Sequence, residues 1–280
     1  MARSFARLTL LAALILAPPA WAQSATTERV LISLPEAGAE MRTTIHRPAG
    51  RGPFGLVIIN HASLQNAVRR AALPPPDFAD AVAWFVKRGY VVALPQRPGH
   101  GETGGTYLED QQGCEGADFR RAGLGAAVSI EAALRYMTAQ PYVRRDRVIL
   151  AGHSAGGWGA VALGSRNPHG VRAIISFAGG RGGRSFDQPN RNCAPERLIA
   201  AAAEFGRTGR VPSLWIYAQN DTHFPLELAA RMARAYRDAG GRLEFRATPR
   251  FGSEGHMLFE VREGVALWGP IVERFLANLK

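Results

Sequence analysis

Arg147-Val148-Ile149-Leu150-Ala151-Gly152-His153-Ser154-Ala155-Gly156-Gly157 is the stretch on which the fold turns. Residues 147–151 are apolar enough for a buried strand, and residues 156–166 read as a helix. Between them lies Gly152-His153-Ser154-Ala155-Gly156, a G-x-S-x-G motif. A strand that turns into a helix within so few residues must bend sharply and bring two backbones close. A Cβ at position 152 or 156 would meet neighbouring backbone, which is why glycine stands there. The bend projects Ser154 outward, and the helix beginning beyond it turns its partial positive end towards the serine. In this setting Ser154 reads as a nucleophile; the bland alternative is a glycine-rich structural turn.

Working outward, short β-type runs alternate with longer helical ones. Residues 29–34 and 41–47 read as a hairpin joined through Pro35-Glu36-Ala37-Gly38, and 56–60 as a strand buried on both sides. A helix is predicted over 77–88, a strand over 90–94 and a helix over 116–139. Beyond the Ser154 motif the alternation continues with strands at 171–177, 212–217 and 242–247. Helices fall at 195–205, 225–239 and about 267–279. This order predicts an α/β protein with a doubly wound, mostly parallel sheet of about eight strands, helices on both faces and little or no cap domain. Ligands in such sheets sit beyond the carboxyl ends of the strands.

A serine hydroxyl needs a base to take its proton and a carboxylate to orient that base. Asp221 ends Ala218-Gln219-Asn220-Asp221 after the strand at 212–217, and His256 ends Gly252-Ser253-Glu254-Gly255-His256 after the strand at 242–247. Acid and then histidine follow the serine in the chain, the order usual where a G-x-S-x-G turn carries the nucleophile. The plainer readings are a helix cap for Asp221 and a surface histidine for His256. His223 is the rival base and Asp187 the rival acid. An oxyanion hole requires two backbone N–H groups; Ala155 supplies one, and Asn60-His61-Ala62-Ser63 the other, from Ser63 first or Ala62 second.

With these residues in hand, the chain resembles the α/β-hydrolase superfamily, and within it dienelactone hydrolase-like and prolyl-oligopeptidase-type serine hydrolases. The resemblance rests on His61-Ala62, Pro95-Gln96-Arg97-Pro98-Gly99-His100-Gly101, the Ser154 turn, Asp221 and His256. It implies an α/β-hydrolase fold over residues 23–280 and places His61 at the substrate side of the oxyanion loop. Where the family has His-Gly, this chain has Ala62 after His61, which can still donate its N–H but cannot take glycine's positive-φ conformations cheaply. Peptidases of the related type normally carry a large additional N-terminal domain.

At the N-terminus, Arg3 and Arg7 precede an apolar run from Leu8 that meets Pro18-Pro19 and a small-x-small site at Ala20-Trp21-Ala22. That order predicts a signal peptide over 1–22 and an exported protein, periplasmic or secreted, without a stable membrane anchor. The 2 cysteines, Cys114 and Cys193, would then meet an oxidising compartment and favour one disulfide, the alternative being two buried thiols. The formal charge of +11 comes almost wholly from arginines scattered along the chain, so no nucleic-acid partner is expected. At 46% hydrophobic residues the chain is too apolar for a disordered protein.

Gly99-His100-Gly101-Glu102-Thr103-Gly104 matches G-x-G-x-x-G, but the polar residues that follow do not open a helix, so no cofactor is expected. Nor does any ligand spacing imply a metal. The Gly- and Arg-rich residues 178–194 leave the strand beside the Ser154 strand, and Arg181 or Arg184 could meet an anionic group of a substrate. The expectation is an exported serine hydrolase cleaving a small-molecule carboxylic ester through an acyl-enzyme. The alternatives are a peptidase or acyltransferase with the same triad, or a non-catalytic binding protein on a hydrolase scaffold.

Overall fold

The structure, a computed structural model, describes residues 25–279. The predicted leader over 1–22 lies outside them. Eight strands form one sheet: β1 Thr26–Leu34, β2 Ala39–Arg47, β3 Phe54–Asn60, β4 Tyr90–Pro95, β5 Val143–His153, β6 Val171–Phe177, β7 Ser213–Ala218 and β8 Leu243–Thr248. Their order across the sheet is β1-β2-β4-β3-β5-β6-β7-β8. The β2 strand is antiparallel to both β1 and β4, and every later neighbour pair is parallel.

Seven α-helices accompany the sheet among the described residues: α1 Ala67–Ala71, α2 Ala79–Val86, α3 Phe119–Thr138, α4 Ala155–Gly164, α5 Pro195–Thr208, α6 Leu226–Asp238 and α7 Val265–Ala277. The period-2 alternation of the central strands divides the core into two layers. Leu56, Ile58, Val148 and Leu150 point to one side, where they meet Ile130, Trp158, Phe205 and Met232 from α3 to α6. Val57, Ile59, Ile149 and Ala151 point to the other, against Phe85 of α2 and Trp268 of α7. Apolar runs in the middle strands are therefore the sequence signature of a sheet covered twice.

Local chemistry sets the boundaries that periodicity left loose. The helix predicted from residue 116 starts at Phe119, because the Asp118 side chain accepts the Arg121 N–H at 2.7 Å and caps it. The helix predicted from 77 starts at Ala79, because Phe78 takes a left-handed φ of 48°. Helix α1, which the sequence pattern did not reveal, is capped by the Asn66 side chain. It is anchored by buried Arg70, whose guanidinium lies 3.6 Å from the centre of the Tyr107 ring. The loops leaving β3 to β8 gather at one edge of the sheet. The cavity at that edge is lined by these loops and their short 3-10 turns, by α1 and by the start of α2.

Candidate active site

Ser154 sits between β5 and α4 with φ 54° and ψ −120°, a region that L-residues rarely occupy. The surroundings over-determine this conformation. The Ser154 N–H donates to Phe177 O at 2.9 Å, and Ser154 O accepts the N–H groups of Trp158 and Gly180. A Cβ on Gly152 would lie 2.4 Å from the Gly156 carbonyl carbon, and one on Gly156 would lie 2.1 Å from Asn60 O. Strand and helix are thus packed backbone to backbone on both flanks of the serine.

Asp221 leaves β7 and His256 lies in a 3-10 turn, Gly255–Phe259, after β8. The His256 Nδ1 is 3.0 Å from Asp221 Oδ2 and 3.2 Å from Oδ1, so Nδ1 carries the proton and Nε2 is left as the basic nitrogen. Asp221 Oδ1 also accepts the N–H groups of His223 and Phe224, at 2.8 and 2.9 Å. These two bonds close a turn inside the loop rather than cap a helix, since α6 begins only at Leu226, after Pro225, and has no side-chain cap. Burial lifts the Asp221 pKa to about 6, against the lowering effect of those two N–H groups. Burial first, and then the electrostatic effect of neighbouring His153, push the His256 pKa well below its ordinary value. Near neutral pH the pair is carboxylate and neutral imidazole.

Ser154, Ala155 and His256 border one cavity of about 1210 Å³, together with Ala62 and Ser63 of the oxyanion loop. Ser154 and His256 are 8% and 5% exposed, enough to meet a ligand and little enough to exclude bulk water. Among the described residues, no hydrogen bond yet joins the Ser154 hydroxyl to the imidazole. In unliganded sites that contact commonly tightens only when substrate binds.

The oxyanion loop is held by its neighbours. His61 Nδ1 is 2.6 Å from Ala62 O, and its Nε2 accepts the Arg97 N–H at 3.0 Å. Because C=O and N–H point oppositely across a trans peptide, fixing Ala62 O aims the Ser63 N–H away from the His61 ring. The Ser63 hydroxyl lies 2.8 Å from His100 Nε2 and 3.1 Å from the Tyr107 hydroxyl. His61 borders the cavity, and its two ring nitrogens are engaged by Ala62 O of its own loop and by the Arg97 N–H of the loop after β4.

The two arginines expected to meet an anionic substrate also border the cavity, but other groups hold them. Arg181 donates to the Tyr107 hydroxyl at 2.9 Å and to the Glu109 carboxylate, and that carboxylate also accepts from Arg97. All three charged side chains are at most 1% exposed. Burial alone would raise the Glu109 pKa; the two guanidiniums override it and hold the carboxyl far below its usual range. Arg184 is ion-paired with Glu254 at 3.6 Å. Nothing in the residues around Arg181 and Arg184 signals these partners, since Glu109 and Glu254 come from distant loops.

The rivals are also placed. The His223 ring stacks on His256 at 3.9 Å and 17°. Burial, then the His256 charge, lowers its pKa to about 4. Asp187 pairs with Arg69 at the exposed rim. Asp221, His223 and His256 offer ligand atoms within 4.8 Å of one another. Asp221 and His256 are bonded to each other, however, and two parallel stacked rings direct their lone pairs into separate planes. The Gly99–Gly104 run folds as a loop with one 3-10 turn, and the next α-helix begins only at Phe119. The context a dinucleotide fingerprint requires is not met. Cys114 and Cys193 are joined in a disulfide, which ties the loop after β4 to the loop after β6 at the cavity wall.

The family model "Dienelactone hydrolase family" matches residues 70–254. No curated protein sequence matches the chain. Among solved structures, the chain is similar to an esterase from Pyrococcus furiosus, at 14% identity and TM-score 0.60, over 91% of this chain and 93% of that one. It is similar to a protein assigned as a dienelactone hydrolase from Klebsiella pneumoniae subsp. pneumoniae, at 15% identity and TM-score 0.58, over 91% and 99%. An acylaminoacyl peptidase from Pyrococcus horikoshii matches at 14% identity and TM-score 0.65, over 92% of this chain but 42% of that one. At these identities the likeness is one of fold.

Proposed function

The chain belongs to the dienelactone hydrolase family, and from that premise we propose that it is an exported serine hydrolase that cleaves a small-molecule carboxylic ester. One observation carries the reading: His256 Nδ1 is bonded to Asp221 while Ser154, at a left-handed turn, opens onto the same cavity as the imidazole. A dienelactone is a cyclic ester, so the family's description supports an ester substrate; the esterase neighbour aligns over nearly its whole length, the peptidase over less than half. The disulfide fits an oxidising compartment. Among the described residues no helix is long and apolar enough to cross a membrane.

In this mechanism Ser154 Oγ attacks the ester carbonyl carbon as its proton passes to His256 Nε2. Asp221 holds the imidazole and stabilises the imidazolium that forms. Negative charge on the former carbonyl oxygen meets the Ala155 N–H, which has no partner within its own helix at that position, and the Ser63 N–H. When the tetrahedral species collapses, the C–O bond to the alcohol breaks and His256 returns its proton to the leaving oxygen. Water then attacks the acyl-enzyme, gives a proton to His256, and releases the acid as Ser154 regains its hydrogen.

The test is a panel of p-nitrophenyl esters beside matched anilides, with and without an added alcohol acceptor, for wild type and Ser154→Ala. Ester turnover that exceeds anilide turnover and disappears in the variant is the expected result. Faster anilide cleavage marks a peptidase, transfer to the alcohol marks an acyltransferase, and no turnover of any substrate favours a binding protein.

A further inference from the structure

His153 precedes the proposed nucleophile and is almost fully buried at the wall of the same cavity. Its Nδ1 lies 2.7 Å from Glu260 Oε1, and its Nε2 lies 2.8 Å from the backbone oxygen of His256. Both partners are acceptors. A neutral imidazole has one N–H and can serve only one of them; an imidazolium has two and serves both. The Glu260 side chain is 31% exposed, so its carboxylate keeps part of its hydration and stays ionised, which leaves the shared proton on the ring. The His153 ring centre is 4.5 Å from that of His256.

From this geometry we infer that His153 is a permanent imidazolium, a positioning residue that grips the backbone of His256 and biases the base towards its neutral form. The inference deepens the reading of His256 as a general base and rests on it for the second consequence, but not for the first. The Nε2–H bond to His256 O fixes the peptide from which the base hangs. The positive charge, in ring contact with His256, opposes a second positive charge there, so the base stays unprotonated to lower pH.

The other charges around His256 come from every neighbouring loop. Asp221 and His223 face it from the loop after β7, Glu254 from its own loop, Arg184 from the loop after β6, and Glu260 from the end of the 3-10 turn. Asp221, Glu254 and Glu260 favour the protonated base, while Arg184 and His153 disfavour it. Of these two, His153 brings its ring against that of His256, tilted by 51°. Burial opposes the His153 cation, but Glu260 offsets this and its pKa is raised above the ordinary value.

Two measurements decide the matter. In 15N-histidine-labelled wild-type protein, both ring nitrogens of His153 should show imidazolium shifts from pH 6 to pH 8, and Glu260→Gln should convert the ring to one N–H. A neutral His153 in wild type at pH 7 overturns the inference, whether or not the enzyme hydrolyses esters. In His153→Gln, whose amide can still donate to His256 O, the acid limb of kcat/KM should move up by roughly one pH unit, a tenfold change in the protonation equilibrium. KM should change much less than this. An acid limb that stays in place in folded His153→Gln contradicts the electrostatic role, and the shift should be smaller in Glu260→Gln, where cation and anion are lost together.

Discussion

The carboxylate of Glu254 holds Thr222 at two points, accepting its backbone N–H on Oε1 at 3.0 Å and its hydroxyl on Oε2. The same Oε1 accepts the N–H of His256 at 3.0 Å. One side chain therefore ties the loop of the proposed acid to the loop of the proposed base. Removing it should leave Asp221 and His256 present but misaligned, and small misplacements in such sites can cost about 10²-fold in rate. In Glu254→Ala, kcat should fall by about 10- to 100-fold with KM changed by less than about threefold. Steady-state kinetics on one p-nitrophenyl ester separates the two.

Asp221→Asn should be more damaging. An amide can present N–H to His256 Nδ1 and reverse the tautomer, which leaves Nε2 protonated and unable to take the serine proton. A loss in kcat on the scale of about 10⁴-fold is expected, as for the same change in other Ser-His-Asp sites. Retention of fold is checked by thermal melting in parallel.

The pH dependence follows from the same pair. His256 titrates well below its ordinary value, whereas burial lifts Asp221 to about 6. Activity needs ionised Asp221 and neutral His256, so it should be lost as pH falls through the apparent pKa of the pair, near 6, and be flat from about pH 7 upward. A pH–kcat/KM profile at constant ionic strength reads this directly. An acid limb centred well above 7 contradicts the assignment of charges.

Glu109 offers a stability test away from the chemistry. Its carboxylate stands between buried Arg97 and Arg181, and removing one member of such a cluster strands the opposite charges. Glu109→Gln should destabilise the fold by about 3–5 kcal/mol at neutral pH. The folded pKa of Glu109 is depressed, so wild-type stabilisation is full above the unfolded value of about 4.3 and declines as pH falls below it. The gap in unfolding free energy between wild type and variant should therefore be constant above about pH 5 and narrow below pH 4. Denaturant titrations at several pH values measure it.

The Cys114–Cys193 bridge closes a loop of sequence separation 79. Chain entropy alone gives a stabilisation of about 4 kcal/mol for a loop of that size. Cys114→Ser/Cys193→Ser should melt on the order of 10 °C lower than wild type. Calorimetry with and without reductant checks it, since reductant should lower the Tm of wild type and leave the double variant unchanged.

Much of the fold was legible because it depends on patterns that need few partners. Apolar runs such as 56–60 and 147–151 name strands covered twice, and Gly152 and Gly156 announce the turn that Ser154 occupies. The Asp221–His256 pair could be found because each residue follows a strand end, where the ligand-binding loops of such a sheet lie. What stayed hidden depends on pairs brought together by tertiary contact. Arg181 reads as a cation free to meet a ligand until Glu109 and Tyr107 are seen against it. His153 looks like the variable residue of a motif until Glu260 and the His256 carbonyl close on its two nitrogens. Glu254 lay in plain view, two residues before His256, but its hold on Thr222 could not be read from spacing. Helix α1, at five residues, is too short to leave a periodic stripe.

Covalent labelling reaches the centre of the account most directly. The protein is incubated with a fluorophosphonate near pH 7.5, digested and mapped by mass spectrometry, beside Ser154→Ala and His256→Gln. A single adduct on Ser154 is predicted, absent from the first variant and formed at least about 100-fold more slowly in the second. Labelling that is equally fast without His256, or that settles on a different serine while Ser154 stays unmodified, would contradict it.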